Sequence, residues 1–154
     1  MKKYIISFIT IIILGAIAIG IGYGLAKYKK TSAVIEVLPS TDIIKSYSNT
    51  DNLTYVQLSR SPEQYKGKKV TIKGTVLQVI ENGNDVALRV ALNGDMNKVV
   101  YVTYVVGSDY KRILENDNVA IMGISNGLFT YQSPLNTDIT IPSVNADYVI
   151  LGNN

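Results

Sequence analysis

The spacing of apolar positions changes character along this chain, and each change predicts a different kind of element. From Tyr4 to Ala26 the run is uninterrupted, with no charge, Pro, Asn or Gln, and it is bracketed by Lys2 and Lys3 before it and by Lys27, Lys29 and Lys30 after it. As a helix rising about 1.5 Å per residue it reaches roughly 35 Å, enough to cross the hydrocarbon of a bilayer. Between Thr31 and Thr50 the period is lost: Pro39-Ser40-Thr41 breaks a short apolar run and Ser46 to Thr50 are polar. This stretch predicts a spacer. Asp51 or Asn52 then caps a short helix over Leu53 to Arg60, with Leu53, Val56 and Leu58 inward. Ser61-Pro62-Glu63 repeats the helix-start pattern, and Gly67 closes the turn.

From Lys69 the period becomes two, the signature of a pleated sheet with one wet face. Val70, Ile72 and Val76 alternate with Thr71, Lys73 and Thr75, and Gly74 marks a bulge or bend. Val86, Leu88, Val90 and Leu92 form a second alternating strand. Val99 to Val106 is apolar on both faces, which predicts a strand covered on two sides or one with an exposed aromatic face. Val119 to Ile124 and Ile139 to Leu151 complete the set, the last interrupted by Pro142.

Asn82-Gly83, Asn93-Gly94 and Asn126-Gly127 supply the positive backbone dihedrals of hairpin turns. The long connection, Gly107 to Asn118, predicts a short helix capped by Ser108, with Ile113 and Leu114 buried. Three meandering strands, a helix and two more strands are the order of a five-stranded OB-fold-like barrel, with one or two short helices and an N-terminal transmembrane helix before it. The domain organisation expected is an anchor over 1–30, a spacer over 31–50 and an all-β barrel over 51–154. A module of this size encloses a single core.

Charge divides along the same boundary. The chain carries 15 basic and 12 acidic residues, but five Lys and no acid fall within residues 1–30, so the remainder has a net charge of −2. The basicity belongs to the anchor flanks, where ammonium groups sit among lipid head groups. Ala16-Ile17-Ala18 offers a small-residue triplet for signal cleavage, yet apolar character continues through Ile19, Ile21, Tyr23 and Leu25. The segment is therefore read as an uncleaved single-pass anchor in the cell membrane, with cleavage and secretion as the alternative. Its short N-terminal tail stays inside, which places the barrel on the extracytoplasmic side. Ala16, Gly20 and Gly24 recur at four-residue spacing, a face along which a second helix can approach and form a homodimer; the competing reading is that Gly is common in membrane helices.

The absence of Cys and His excludes a lipidated cysteine, disulfides, thiolate chemistry, the commonest metal ligands and every Ser-His or Cys-His arrangement. Ser108-Asp109-Tyr110-Lys111 has the Ser-x-x-Lys spacing of serine acyltransferases, but no companion motif accompanies it and Ser108 reads as a helix cap. Glu81, Asp85 and Asp95 lie beside turns, where carboxylates are ordinarily solvated. Gly67-Lys68 lacks the upstream Gly of a phosphate loop. No enzyme activity, cofactor or metal is expected.

The stretch Ser61-Pro62-Glu63-Gln64-Tyr65-Lys66-Gly67-Lys68-Lys69-Val70-Thr71-Ile72-Lys73-Gly74-Thr75-Val76 resembles the opening of bacterial OB-fold domains that follow a membrane helix. Val99 to Tyr104, Ile113 to Val119 and Ile139 to Asp147 are similar in order and spacing to the same group, which includes the TcdC-like negative regulators of toxin operons. The resemblance implies a membrane-bound regulator whose barrel engages single-stranded nucleic acid and which dimerises through a coiled segment after the anchor. That segment has no counterpart here, since residues 31–50 carry no sustained heptads.

Two partner classes follow. Single strands need a cationic groove and aromatic rings for stacking, and Lys73, Arg89, Lys98, Tyr101, Tyr104 and Tyr131 are the residues able to form such a face on the second and third strands. Tyr and Arg on a sheet are also ordinary cross-strand pairs. Alternatively, the barrel is a protein-binding module at the cell envelope, its rim loops near Gly83, Gly94 and Gly127 presenting Phe129 and Tyr131. The near-neutral barrel and its expected location favour the protein partner.

Overall fold

In the computed structural model, which describes residues 32–33, 39–48, 53–107 and 110–152, chain alternation becomes a closed barrel. The apolar segment from Tyr4 to Ala26, with Ala16, Gly20 and Gly24, lies outside the described residues, as do Asp51, Asn52, Ser108 and Asp109. No helix among the described residues is long and apolar enough to cross a membrane.

A two-residue strand β1 (Ser32–Ala33) is followed by three short helices, α1 (Thr41–Ser48), α2 (Tyr55–Arg60) and α3 (Pro62–Tyr65). Five long strands then form the barrel: β2 (Lys69–Asn82), β3 (Asp85–Leu92), β4 (Val99–Val106), β5 (Asn118–Gln132) and β6 (Asp138–Leu151). The sheet order is β1-β4-β3-β2-β5-β6, and a parallel pairing of β4 with β6 closes it, with Tyr101 opposite Ser143 and Thr103 opposite Asn145. This is an all-β, OB-fold-like barrel. Parallel strands cannot be joined by a hairpin, which is why β5 intervenes between them.

β2 pairs with β5 over Lys69 to Thr75 and with β3 from Gly74 onward. Gly74 sits where both neighbours meet it, and a Cβ there would lie 2.2 Å from the Ala91 carbonyl oxygen. Its role is close approach of two backbones. The expected bulge falls instead between Val76 and Gln78, and it turns the strand around the barrel.

The interior is filled by Val70, Ile72, Val76, Val90, Val100 and Val102 from the alternating strands, with Leu58 and Ile113 closing it. Leu58 arrives on α2, whose start is fixed by Thr54 and not by Asp51 or Asn52. The Thr54 hydroxyl accepts from the Gln57 amide, and the Gln57 side chain accepts from the Thr54 amide at 2.9 Å, a complete capping box. Val56, expected inward, is 46% exposed.

Three further differences from the sequence reading have local causes. The connection from Gly107 to Asn118 has no helix among its described residues. Its backbone bonds across to the β2 bulge, Asn116 N–H to the Val76 carbonyl at 2.8 Å and Val76 N–H to the Asp117 carbonyl at 2.9 Å, leaving no i to i−4 ladder. Ile113 is buried as expected, while Leu114 is 54% exposed. The stretch read as an aperiodic spacer contains α1, docked by Tyr47, whose hydroxyl bonds to Asp147 and whose ring lies under the Lys69 ammonium at 4.6 Å. Asn126-Gly127 is not a hairpin turn. It is a bulge within β5, with Gly127 at φ 81°, and the strand continues to Gln132 before the actual turn at 133–137.

Gly74→Ala should destabilise the barrel by about 1–3 kcal/mol, since the added methyl meets backbone and has no rotamer by which to escape. Urea denaturation of the variant checks this; an unchanged midpoint would contradict the close-approach role.

Candidate binding surfaces

Beyond the Gly127 bulge, the ends of β5 and β6 leave the barrel as a two-stranded arm, with Phe129 opposite Ile141 and Tyr131 opposite Ile139. Its alternation is as clean as that of the barrel: Phe129, Tyr131, Ile139 and Ile141 face inward, while Leu128, Thr130, Gln132 and Thr140 are exposed. The inward side chains meet Ile80, Ala87, Val99 and Tyr101 on the outer faces of β2, β3 and β4, forming a second apolar cluster. The face of an OB barrel on which ligands are usually held is the outer surface of its second and third strands. Here these are β3 and β4, and the arm lies on them.

The contact is chiefly aromatic. Phe129 stacks on Tyr101 with ring centroids 4.1 Å apart and planes 10° from parallel, and Tyr131 stacks in turn at 6.1 Å and 19°. The Arg89 guanidinium lies over the Tyr131 ring at 5.5 Å and donates to the Gln78 side chain at 3.4 Å. Burial has left polar atoms behind: among the described residues the Tyr101 hydroxyl, the Tyr131 hydroxyl and Arg89 Nε have no hydrogen-bond partner. An unpaired buried donor costs roughly 1–3 kcal/mol. The aromatic and apolar contacts of the arm act against that cost.

The six residues expected to share one ligand face lie in three places. Arg89, Tyr101 and Tyr131 do come together on the β3–β4 side, but Tyr101 is 2% exposed and Tyr131 9%, both beneath or within the arm. Tyr104, 3% exposed, points into the barrel interior with Val100 and Val102. Alternation decides this, since Tyr101 and Tyr104 differ by three positions and so face opposite sides of β4. Lys73 and Lys98 line a separate cleft of about 640 Å³ at one end of the barrel, between the start of α2 and the β3–β4 turn. Phe129 and Tyr131, expected as exposed rim contacts, are turned inward. The inward turn of Phe129, Ile139 and Ile141 was signalled by the alternation of residues 128–132 and 138–141, which the Asn-Gly step obscured, whereas Gln78, the partner of Arg89, carried no sequence signal.

Two of the three carboxylates near the turns, Glu81 and Asp95, are engaged by neighbours. Glu81 accepts from Arg112 at 3.0 and 2.8 Å, and Asp95 bonds Lys98 at 2.9 Å. The Lys98 ammonium and the Asn97 amide hold the Asp95 carboxyl below its usual range. No cluster of three or more potential metal-ligating side chains occurs among the described residues.

No protein-family model matches the chain, and no curated protein matches it, so the likeness to the TcdC-like group rests on sequence features alone. Its fold is similar to part of an aspartyl-tRNA synthetase from Entamoeba histolytica, with a TM-score of 0.50 and 14% identity over 80% of this chain. The matched region is 25% of that synthetase. An OBody bound to hen egg-white lysozyme aligns at a TM-score of 0.44, with 14% identity over 69% of this chain and 99% of that one. A mitochondrial single-stranded DNA-binding protein of S. cerevisiae aligns at 0.37, with 13% identity over 58% of this chain and 98% of that one. At these identities the likeness concerns the fold.

Two outcomes follow from the buried arm. Tyr101→Phe should leave stability unchanged or raise it by about 1 kcal/mol, because it removes an unpaired hydroxyl without touching the ring stack, whereas Phe129→Ala should cost ~2–3 kcal/mol. Thermal denaturation distinguishes them, and a destabilised Tyr101→Phe would show the hydroxyl to be partnered. Burial also raises the phenol pKa of Tyr101 and Tyr104 well above the ordinary value of about 10. Only the unfolded chain then ionises these groups, so stability is unaffected below about pH 10 and falls as pH rises above it. Absorbance titration at 295 nm should show these phenols ionising together with unfolding; smooth titration of all tyrosines near pH 10 in the folded protein would refute their burial.

Proposed function

We propose that this chain is a membrane-tethered, non-enzymatic OB-type binding module that engages a protein partner at the cell envelope. The observation that carries this reading is the arm: the aromatic and cationic groups on the β3–β4 face are already stacked on the chain's own Phe129 and Tyr131. A base arriving there finds the rings already stacked on one another and the guanidinium already lying over Tyr131. The net charge of −2 beyond residue 30 adds no long-range attraction for phosphates. Absence of Cys and His from the whole chain supports binding over catalysis. The apolar run from Tyr4 to Ala26 supplies the tether, which confines the search for a membrane-associated partner.

A second reading has one observation in its favour. Arg89 and Tyr101 lie on the face where OB barrels hold single strands, and departure of the arm, which would carry Tyr131 with it, would present them to a base in a TcdC-like regulator.

The full-length chain in detergent micelles should show no saturable binding to fluorescein-labelled oligothymidine at low salt. Protease added to intact cells should trim the barrel from the anchor. Salt-sensitive oligothymidine binding lost on Arg89→Ala would favour the second reading, and complete protection from protease would overturn export.

A further inference from the structure

The cleft lined by Lys73 and Lys98 differs in chemistry from the rest of the barrel. We infer that it is a docking site for a short acidic peptide segment of the partner, an inference that rests on the protein-partner reading and assigns the surface and the chemistry it uses.

Three features of the cleft point to this ligand. Among the described residues its lining carries two ammonium groups and no carboxylate, although the chain beyond residue 30 is net acidic. Lys98 is held by Asp95, but Lys73 is exposed and makes no ion pair or hydrogen bond through its ammonium with any described residue. A carboxylate placed there meets an uncommitted positive charge. The Thr71 hydroxyl, two residues earlier on the same face of β2, is buried in the lining without a hydrogen-bond partner. An unsatisfied hydroxyl beside a free cation completes its hydrogen bonding when an anionic acceptor arrives.

The third feature is apolar. Ile72 and Leu92 reach the cleft from the core, and Tyr55 with the 46%-exposed Val56 stands along its α2 side. An inorganic anion would leave this surface wet, whereas a peptide with a carboxylate and a branched apolar side chain covers both halves. A second opening of about 480 Å³ shares Lys73 and Asn93 with the first and passes over Gly74 and Gly94. At Gly94 no atom lies within 4 Å of where a side chain would begin, which leaves room for an extended backbone, and the described residues of this lining too include no acid. A single strand of nucleic acid satisfies the charge but finds one ring to stack on, Tyr55, and covers Val56, Ile72 and Leu92 less closely than a branched apolar side chain does.

The test uses the full-length chain in detergent micelles and a fluorescent six-residue peptide alternating Glu with Leu or Val. Anisotropy should report saturable binding that weakens at least about fivefold when Gln replaces Glu, and at least about tenfold for Lys73→Glu. Lys111→Glu, at an exposed position outside the cleft, should leave it unchanged. Thr71→Val should weaken binding without lowering the melting temperature, because the hydroxyl it removes has no partner in the free protein. Amide NMR shifts should centre on Tyr55, Lys73, Asn93 and Lys98. Equal binding of the Glu and Gln peptides, insensitivity to Lys73→Glu, or no peptide binding at millimolar concentration would overturn the acidic-segment assignment. If a Lys-containing peptide binds the cleft instead, the assignment falls and the protein-partner reading stands. If oligothymidine binds there in preference to every peptide, both fall.

Discussion

Phe129 lying flat on Tyr101 is the contact on which the functional reading of this barrel depends. A ring stacked at 4.1 Å excludes water from both faces of the contact and occupies the place where an OB barrel would otherwise take a ligand's ring. It exists because Gly127, at positive φ, lets β5 bulge and continue where a hairpin turn would have ended it. Backbone conformation at one glycine thus determines whether the β3–β4 face is a surface or an interior. The unpaired hydroxyls of Tyr101 and Tyr131 record the cost of that choice.

The barrel itself is legible in the residues. Alternation at Val70 to Val76, Val86 to Leu92 and Ile139 to Leu151 marks strands because one face of each must leave water, and Gly83 occupies a hairpin turn at positive φ as its Asn-Gly step predicts. The closing pair, β4 with β6, is less visible, since parallel pairing leaves no turn in the sequence. What could not be read was context. Tyr101 and Tyr104 look equivalent on a strand apolar on both sides, and only knowing that β4 has the barrel on one side and the arm on the other separates their fates. Likewise Asn126-Gly127 has the local chemistry of a turn, and its neighbours decide that it becomes a bulge. The helix expected after Gly107 fails for a similar reason: the β2 bulge offers the loop better hydrogen-bond partners than its own backbone.

Closing one face directs attention to the end of the barrel. Lys73 and Lys98 were grouped with Arg89 and the tyrosines by charge and strand order, yet they meet across a cleft bounded by α2, an element placed there by the Thr54–Gln57 capping box and the burial of Leu58. Helix capping, a local event, therefore shapes the opening proposed for the partner. The docking of Tyr47 against Asp147 and Tyr148 ties α1 to the barrel as well.

The most direct measurement is aromatic NOE spectroscopy on the full-length chain at neutral pH with Phe129 and Tyr101 selectively labelled. Strong cross-peaks between the two rings, with upfield ring-current shifts and slow exchange of the β3 and β4 amides, are the predicted result. Random-coil aromatic shifts for Phe129 and Tyr131 and no cross-peak to Tyr101, while the barrel amides stay protected, would show the arm standing free and the ligand face open.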